Sequence, residues 1–461
     1  MATLELAPER QAMRSITPAR AVAAAAVAIV TVVMVVKFAH HDAKDAAVWY
    51  DVGRRVLLGE PIMHLGHYRY PPAFAVFVAP LCLLSWPGFF FAWYGINVGV
   101  FFWSVRLAWR LVREEEVRPA WAWLPAVMVA AYAVDNLFLG QTNLLVTAFL
   151  YWSMVEMARG REGRAGALLA VTVATKAFTL PWLAYLVYRR QWRMLGSALA
   201  VTAFLLVVFP APARGFSRNL AELKDWGTRV VAPYLTRGEA ADWGQHSLDY
   251  GNQSLQAVLH RLLTRVDANV KARGEPPIYV NVARLSEGRV NAILLISLAA
   301  LVAGFGAACG WRRPQKGRLL AAELGLSVIV LLLASAIAWT YFYVVLLLPI
   351  AVAVSLVRGP EGLRPSTRRL LTAGLWAQGL AVVFMARGLG GPYVRAAGSL
   401  CWAAVVLYLG LARACWEMRR QGLGARGQGL GEGGLLGRGA LWYTGSGGCE
   451  GGAEPFHEGT V

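Results

Sequence analysis

Long apolar stretches separated by short arginine-rich linkers run through most of this chain. A helix needs about 20 apolar residues to cross a bilayer, fewer where neighbours bury a short one. Candidate crossings fall at 20–38, 88–106, 119–134, 141–157, 165–176, 178–188, 193–209, 289–309, 319–336, 339–357, 368–386 and 394–413. The pair 165–176 and 178–188 is a single hydrophobic stretch broken around Lys176 and Pro181. It reads as two half-helices or as one kinked helix. A further apolar piece, 72–85, is bracketed by Pro71, Pro72, Pro80 and Pro87 and is short for a crossing. It is placed as a juxtamembrane or re-entrant segment. The pattern predicts an all-α polytopic membrane protein with about twelve crossings.

The linkers set the orientation. Arginines concentrate at 106–118, 158–164, 189–193, 311–318 and 358–369 and after Arg413, whereas the linkers near 135–140 and 336–338 carry no Lys or Arg. The positive-inside rule then places both termini in the cytoplasm, and the cell (inner) membrane is the expected location. Two outer regions are large enough to form a site. In 38–71, Val48, Trp49, Val52 and Val56 mark an amphipathic helix lying on the membrane surface. In 210–288, a polar loop carries Trp226, Trp243, Tyr250 and the run Asn252-Gln253-Ser254. Residues 1–19 form a cytoplasmic N-terminus, and 20–415 the membrane domain. The glycine-dominated tail, 416–461, has too little apolar periodicity to fold. Arg10, Arg14 and Arg20 precede the first apolar run in the manner of a signal peptide, but no small-residue cleavage site follows, so an uncleaved first helix is expected. The two halves show no inverted repeat of the kind many transporters carry.

Composition sharpens this picture. The chain is 57% hydrophobic and 16% charged, where soluble domains carry roughly 25% charge. Its net charge of +18 comes from basic residues that fall between apolar runs. They read as membrane anchors, so membrane lipids are expected partners and nucleic acid is not. Cys82, Cys309, Cys401, Cys415 and Cys449 include no CxxC pair, which argues against a disulfide framework or a zinc site.

Candidate chemistry gathers on the outer side. His40, His41, Asp42, Lys44 and Asp45 follow the first apolar run, and ionisable groups held against a bilayer point to a site. Asp45 is the leading candidate for a general base; a helix N-cap or a partner for Lys44 or Arg54 accounts for it equally well. Asp42, one helical turn earlier, is a rival that periodicity does not separate from it, and Asp51 is a second rival that a solvated helix face accounts for. Lys176 breaks an apolar stretch and can neutralise a phosphate, with snorkelling as the alternative. Arg69, in Tyr68-Arg69-Tyr70-Pro71-Pro72, offers a second cation, with interfacial anchoring as its alternative. His64 and His67 together with His40 and His41 lack a metalloprotease pattern, so no metal site or cofactor is expected. Asp135-Asn136 and Gly140-Gln141-Thr142-Asn143 place amides where they can bond sugar hydroxyls, cap a helix or join helices. Trp339-Thr340-Tyr341 at another outer helix end reads as a contact surface or as part of an aromatic belt.

Taken in order, these segments resemble the polyprenol-phosphate-sugar-dependent membrane enzymes of glycosyltransferase family 87, a branch of the GT-C superfamily. The mycobacterial phosphatidylinositol-mannoside mannosyltransferases are similar to it. The likeness rests on Asp45-x3-Trp49-Tyr50-x2-Gly53-Arg54 with Leu58-Gly59-Glu60-Pro61, on Tyr70-Pro71-Pro72, on Gly140-Gln141-x-Asn143, and on Asn252-Gln253-Ser254-Leu255 with Arg261. Lys176 with Pro181 and Arg189-Arg190-Gln191-Trp192-Arg193 add to it, and the likeness covers roughly 20–415. The resemblance implies a GT-C-like bundle whose two outer loops form the site. It implies an inverting, metal-independent transfer of a hexose, most simply mannose, from a polyprenyl-phosphate donor to a lipid or glycan acceptor. Asp45 matches the base position of such enzymes. Lys176 and Arg69 would hold the phosphate, and Tyr70, Gln141, Asn143, Asn252, Gln253 and Trp339 would contact substrate. One departure stands out. Many relatives place a histidine shortly after the tryptophan of a Ser-x-x-x-Trp segment, where this chain has Ser335-Ala-Ile-Ala-Trp339-Thr340-Tyr341-Phe342. A transporter or flippase of lipid-linked sugars, or an inactive scaffold, are the alternative readings; the intramembrane lysine and broken helices suit a substrate path.

Overall fold

The computed structural model describes residues 28–29, 31–36, 44–63, 68–112, 119–233, 247–270, 275–311, 317–359, 362–385 and 390–421. Of the sequence candidates, His40, His41, Asp42, His64, His67, Trp243 and most of the two termini lie outside the described residues. Among those described, the chain is helical without a strand, apart from one isolated antiparallel bridge between Asn252 and Trp339. Helices α1 (Lys44–Leu57), α2 (Pro72–Val78), α3 (Trp86–Val112), α4 (Leu124–Leu139), α5 (Asn143–Ala158), α6 (Glu162–Thr175) and α7 (Trp182–Tyr188) make the first half. Helices α8 (Trp192–Ala203), α9 (Phe216–Trp226), α10 (Leu255–Leu263), α11 (Glu287–Cys309), α12 (Arg318–Leu333), α13 (Leu347–Arg358), α14 (Pro365–Val383) and α15 (Ser399–Arg420) make the second.

Five segments are long and apolar enough to cross a membrane: Trp86–Val112, Trp192–Arg214, Glu287–Cys309, Thr340–Arg358 and Ser399–Arg420. The expectation of about twelve crossings exceeds this number. Several helices on which it rested are short apolar pieces, Leu124–Leu139, Asn143–Ala158 and Ala177–Tyr188 among them, which length and composition alone do not qualify as spans. Helix α2 runs into a 3-10 turn, Ala79–Leu83, so the segment Pro72–Leu83 is well short of a bilayer's hydrocarbon core.

Helix α1 is amphipathic as its spacing predicts. Ala46, Trp49, Val52 and Val56 are buried on one side, while Asp51, Arg54 and Leu57 are exposed. Gly53 faces Cys82; a Cβ there would overlap the Cys82 Sγ, so glycine lets α1 lie directly on the Ala79–Leu83 turn. The broken stretch is also present. Helix α6 ends at Lys176, whose extended backbone (φ −156°, ψ 120°) leads into the 3-10 turn Ala177–Thr179 and then α7. The Thr172 and Thr179 hydroxyls, 2.6 Å apart, hydrogen-bond across the break.

The core is built around α13. Of the Thr340–Arg358 span 89% is buried, against 11% for Glu287–Cys309, so α13 is sheathed by other helices while α11 lies at the edge of the bundle. Close approaches are made through glycine: a Cβ on Gly374 of α14 would lie 2.9 Å from the Leu407 Cα of α15. The arginine-rich end carries buried carboxylates that hold it together. Glu156 pairs with Arg159 at 2.8 Å and Arg161 at 3.4 Å, and Glu417 accepts from Thr367 at 2.6 Å. Deepest is Glu323 on α12, which meets Arg189 at 2.5 Å with both side chains fully buried. Tyr185 donates to the same carboxylate at 2.9 Å, and Arg189 also reaches the Gly310 carbonyl at 2.7 Å.

Removing one partner of such a pair leaves a buried charge uncompensated. Glu323→Ala is therefore expected to cost about 3–5 kcal/mol of stability, read as a fall in unfolding temperature in detergent. Adding Arg189→Met should restore most of that loss; a double variant no more stable than Glu323→Ala would rule out the ion pair as the cause.

Candidate active site

Helix α4 ends at Gly140, which adopts a left-handed conformation (φ 72°) open to glycine at little cost. Its carbonyl accepts two indole N–H groups, Trp49 Nε1 at 2.7 Å and Trp93 Nε1 at 2.8 Å. A Cβ on Gly140 would lie 2.6 Å from the Cβ of Ala46. The first turn of α1 is thus seated against this corner. Trp49 meets Tyr70 edge-on at 4.5 Å and Phe74 at 5.2 Å, which brings the 68–71 turn to the same place. Asp45, one residue before Ala46, is thereby brought to this corner by the packing of α1.

The four residues after α4 then hold two opposite charges. Gln141 donates from Nε2 to Asp45 Oδ2 at 2.7 Å. Two residues on, Asn143 Oδ1 accepts from the Lys176 ammonium at 3.0 Å. Gln141, Thr142 and Asn143 are buried, whereas Asp45 and Lys176 remain half-buried. The Lys176 ammonium lies over the Phe342 ring at 3.9 Å, with Tyr70 at 5.5 Å and Tyr341 at 5.7 Å. Such ring faces favour a cation that has lost part of its water. Asn136 fixes this cover by donating to the Tyr341 carbonyl at 2.8 Å. Tyr70 donates to Gln141 Oε1 at 3.1 Å, and burial pushes its phenol above the usual range, so it stays protonated as a donor.

Other sequence candidates fall differently. Asp51 is exposed and pairs with Arg55 one turn on, at 3.2 Å, away from this corner. Arg69 is half-buried beside Tyr70, its carbonyl held by Trp226 Nε1 at 3.1 Å. Asn252 and Gln253 are fully buried, and their amides are used within the protein. Asn252 donates to the Ser247 carbonyl at 2.7 Å and accepts from the Ala338 N–H at 2.9 Å. Gln253 donates to the carbonyls of Tyr250 at 2.7 Å and Arg395 at 2.6 Å. Buried Trp339 forms the bridge with Asn252. Arg261, also buried, gathers the carbonyls of Asp249, Asn252 and Ala396 at 2.8–3.0 Å. These residues brace the second loop; Asp45, Tyr70, Gln141, Asn143 and Lys176 form the corner. Phe342 and Trp93, which sequence reasoning passed over as apolar, complete it. No group of three His, Cys, Asp or Glu side chains among the described residues is placed to share a metal ion.

A family model, glycosyltransferase family 87, matches residues 68–336, more than half of the chain, and the chain belongs to that family. The matched stretch contains Arg69, Tyr70, Gln141, Asn143 and Lys176, while Asp45 and Trp339 lie outside it. No curated protein and no solved structure matches.

Substituting Gly140 adds both a left-handed side chain and a clash with α1. Gly140→Ala is expected to cost about 2 kcal/mol or more, seen as a lower unfolding temperature by tryptophan fluorescence. Gly99→Ala, in α3 with open space around it, should leave that temperature within a degree or two. Equal behaviour of the two variants would remove Gly140 from its role as the corner.

Proposed function

We propose that this membrane glycosyltransferase moves a hexose, most simply mannose, from a polyprenyl-phosphate donor to a hydroxyl of a lipid or glycan acceptor at the outer face of the cell membrane. The observation that carries the reading is the pairing of a carboxylate and an ammonium at one corner, Asp45 on Gln141 at 2.7 Å and Lys176 on Asn143 at 3.0 Å. Arg159, Arg189 and Arg364 of the arginine-rich linkers pair with the buried carboxylates Glu156, Glu323 and Glu417, and the positive-inside rule assigns such linkers to the cytoplasm.

In this reading Asp45 takes the proton of the acceptor hydroxyl as its oxygen attacks the anomeric carbon. The bond from that carbon to the phosphate oxygen breaks, and the electron pair leaves with polyprenyl phosphate. A single displacement inverts the anomeric centre. Negative charge grows on the leaving phosphate, and a cation aimed at developing charge in a partly dry site is a strong stabiliser. Lys176 suits that role, because its ammonium has three donors and Asn143 engages one. Arg69, beside Tyr70, is a second cation for the phosphate. The aromatic cover of Tyr70, Tyr341 and Phe342 keeps Lys176 oriented, and these rings also suit the apolar face of a sugar.

Purified protein in lipid nanodiscs, offered radiolabelled polyprenyl-phosphate mannose and extracted membrane lipids, is expected to form a labelled glycolipid. Asp45→Asn should lower kcat by about 10²- to 10⁴-fold, the usual worth of a general base, with donor binding retained. Lys176→Met should weaken both donor binding and turnover. Full transfer by Asp45→Asn would end the base assignment, and movement of labelled donor across the bilayer without a new product would favour transport.

A further inference from the structure

We infer that Gln141 is a positioning residue that fixes and ionises the Asp45 carboxylate through a directed hydrogen-bond chain, rather than a contact to substrate. The inference rests on the reading of Asp45 as the base. The chain has three links: Thr142 Oγ1 to Tyr70 OH at 3.3 Å, Tyr70 OH to Gln141 Oε1 at 3.1 Å, and Gln141 Nε2 to Asp45 Oδ2 at 2.7 Å.

Its direction follows from the charge at its end. An ionised carboxylate has no proton to give, so the Gln141 amide must turn its NH2 toward Asp45. Its carbonyl then faces Tyr70, which has to donate, and the phenol oxygen is left to accept from Thr142. Thr142 is fully buried, Gln141 and Tyr70 nearly so, so water competes little for these bonds. With Oδ2 held by Gln141, the plane of the carboxylate is fixed at this corner. Tyr70 also acts on the cation, since its ring is one of the three around Lys176. One side chain thus couples the orientation of the base to the cover of the cation.

Lys176 at the α6 break, Tyr70 in the 68–71 turn and Tyr341 in the Thr340–Leu346 turn are titratable groups that Asp45 acts on through space. Lys176 favours the ionised carboxylate through space, and Gln141 adds a hydrogen bond made to that form. Losing the hydrogen bond alone should raise the pH at which Asp45 takes up its proton.

The test is an infrared titration of protein with aspartate ¹³C-labelled at the side-chain carboxyl, in lipid nanodiscs, with Asp45→Asn identifying the Asp45 band. Gln141→Met, similar in length but without the donor, is expected to move the midpoint up by about one to two pH units, the size expected for one hydrogen bond to a charged group. Tyr70→Phe, which frees the amide to turn, should move it in the same direction by less. Turnover with radiolabelled polyprenyl-phosphate mannose should fall roughly 10- to 100-fold in Gln141→Met with the donor KM unchanged. An unmoved midpoint in both variants, or a raised KM with kcat unchanged, would overturn the positioning role while leaving Asp45 as the base. A shifted midpoint together with full transfer by Asp45→Asn would instead overturn the base reading on which the inference rests.

Discussion

Two indole N–H groups meet on the carbonyl of Gly140, and one corner of the bundle is organised around that meeting. A carbonyl at a helix end, buried without water, needs partners. Here they come from α1 and from α3, so that satisfying one oxygen fixes the relative placement of three helices. Ala46 fills the space that a side chain on residue 140 would occupy. Asp45 is carried to the Gln141 amide as a consequence.

A similar sharing of partners governs the charges. Gln141 and Asn143 lie two residues apart at the start of α5, and one takes the anion while the other takes the cation. Amides suit this because each has a donor and an acceptor and carries no charge of its own. Asp45 and Lys176 are therefore each engaged by a neutral group of the same short segment. At the arginine-rich end the logic is different. Glu323 and Arg189 meet directly with both side chains fully buried, and the pair ties α7 to α12. One end of the molecule uses charge for cohesion, while the other keeps it half-buried and held at arm's length by neutral groups.

Periodicity made much of this legible. The amphipathic face of α1, the break at Lys176 and the buried helix at 347–358 all follow from where apolar residues recur. The candidates Asp45, Tyr70, Gln141, Asn143 and Lys176 could be picked out because polar residues between apolar runs are few. The number of crossings was less legible, since a short apolar helix sheathed by neighbours and one that spans lipid read alike. The roles of Asn252, Gln253 and Trp339 were hidden for a related reason: an amide bonded to a distant carbonyl and an amide awaiting a sugar have the same letter.

The sequence by itself determined the membrane setting, the helical class and the shortlist of candidate polar groups, because each is a property of local composition and spacing. The tertiary structure decided which of them lie together. Asp45 and Gln141 are 96 residues apart, and Asn136 and Tyr341 are 205 apart. Contacts at such separations depend on how helix ends stack, and stacking is set by close-packed side chains such as Trp49, Trp93 and Phe342, which local spacing describes merely as apolar.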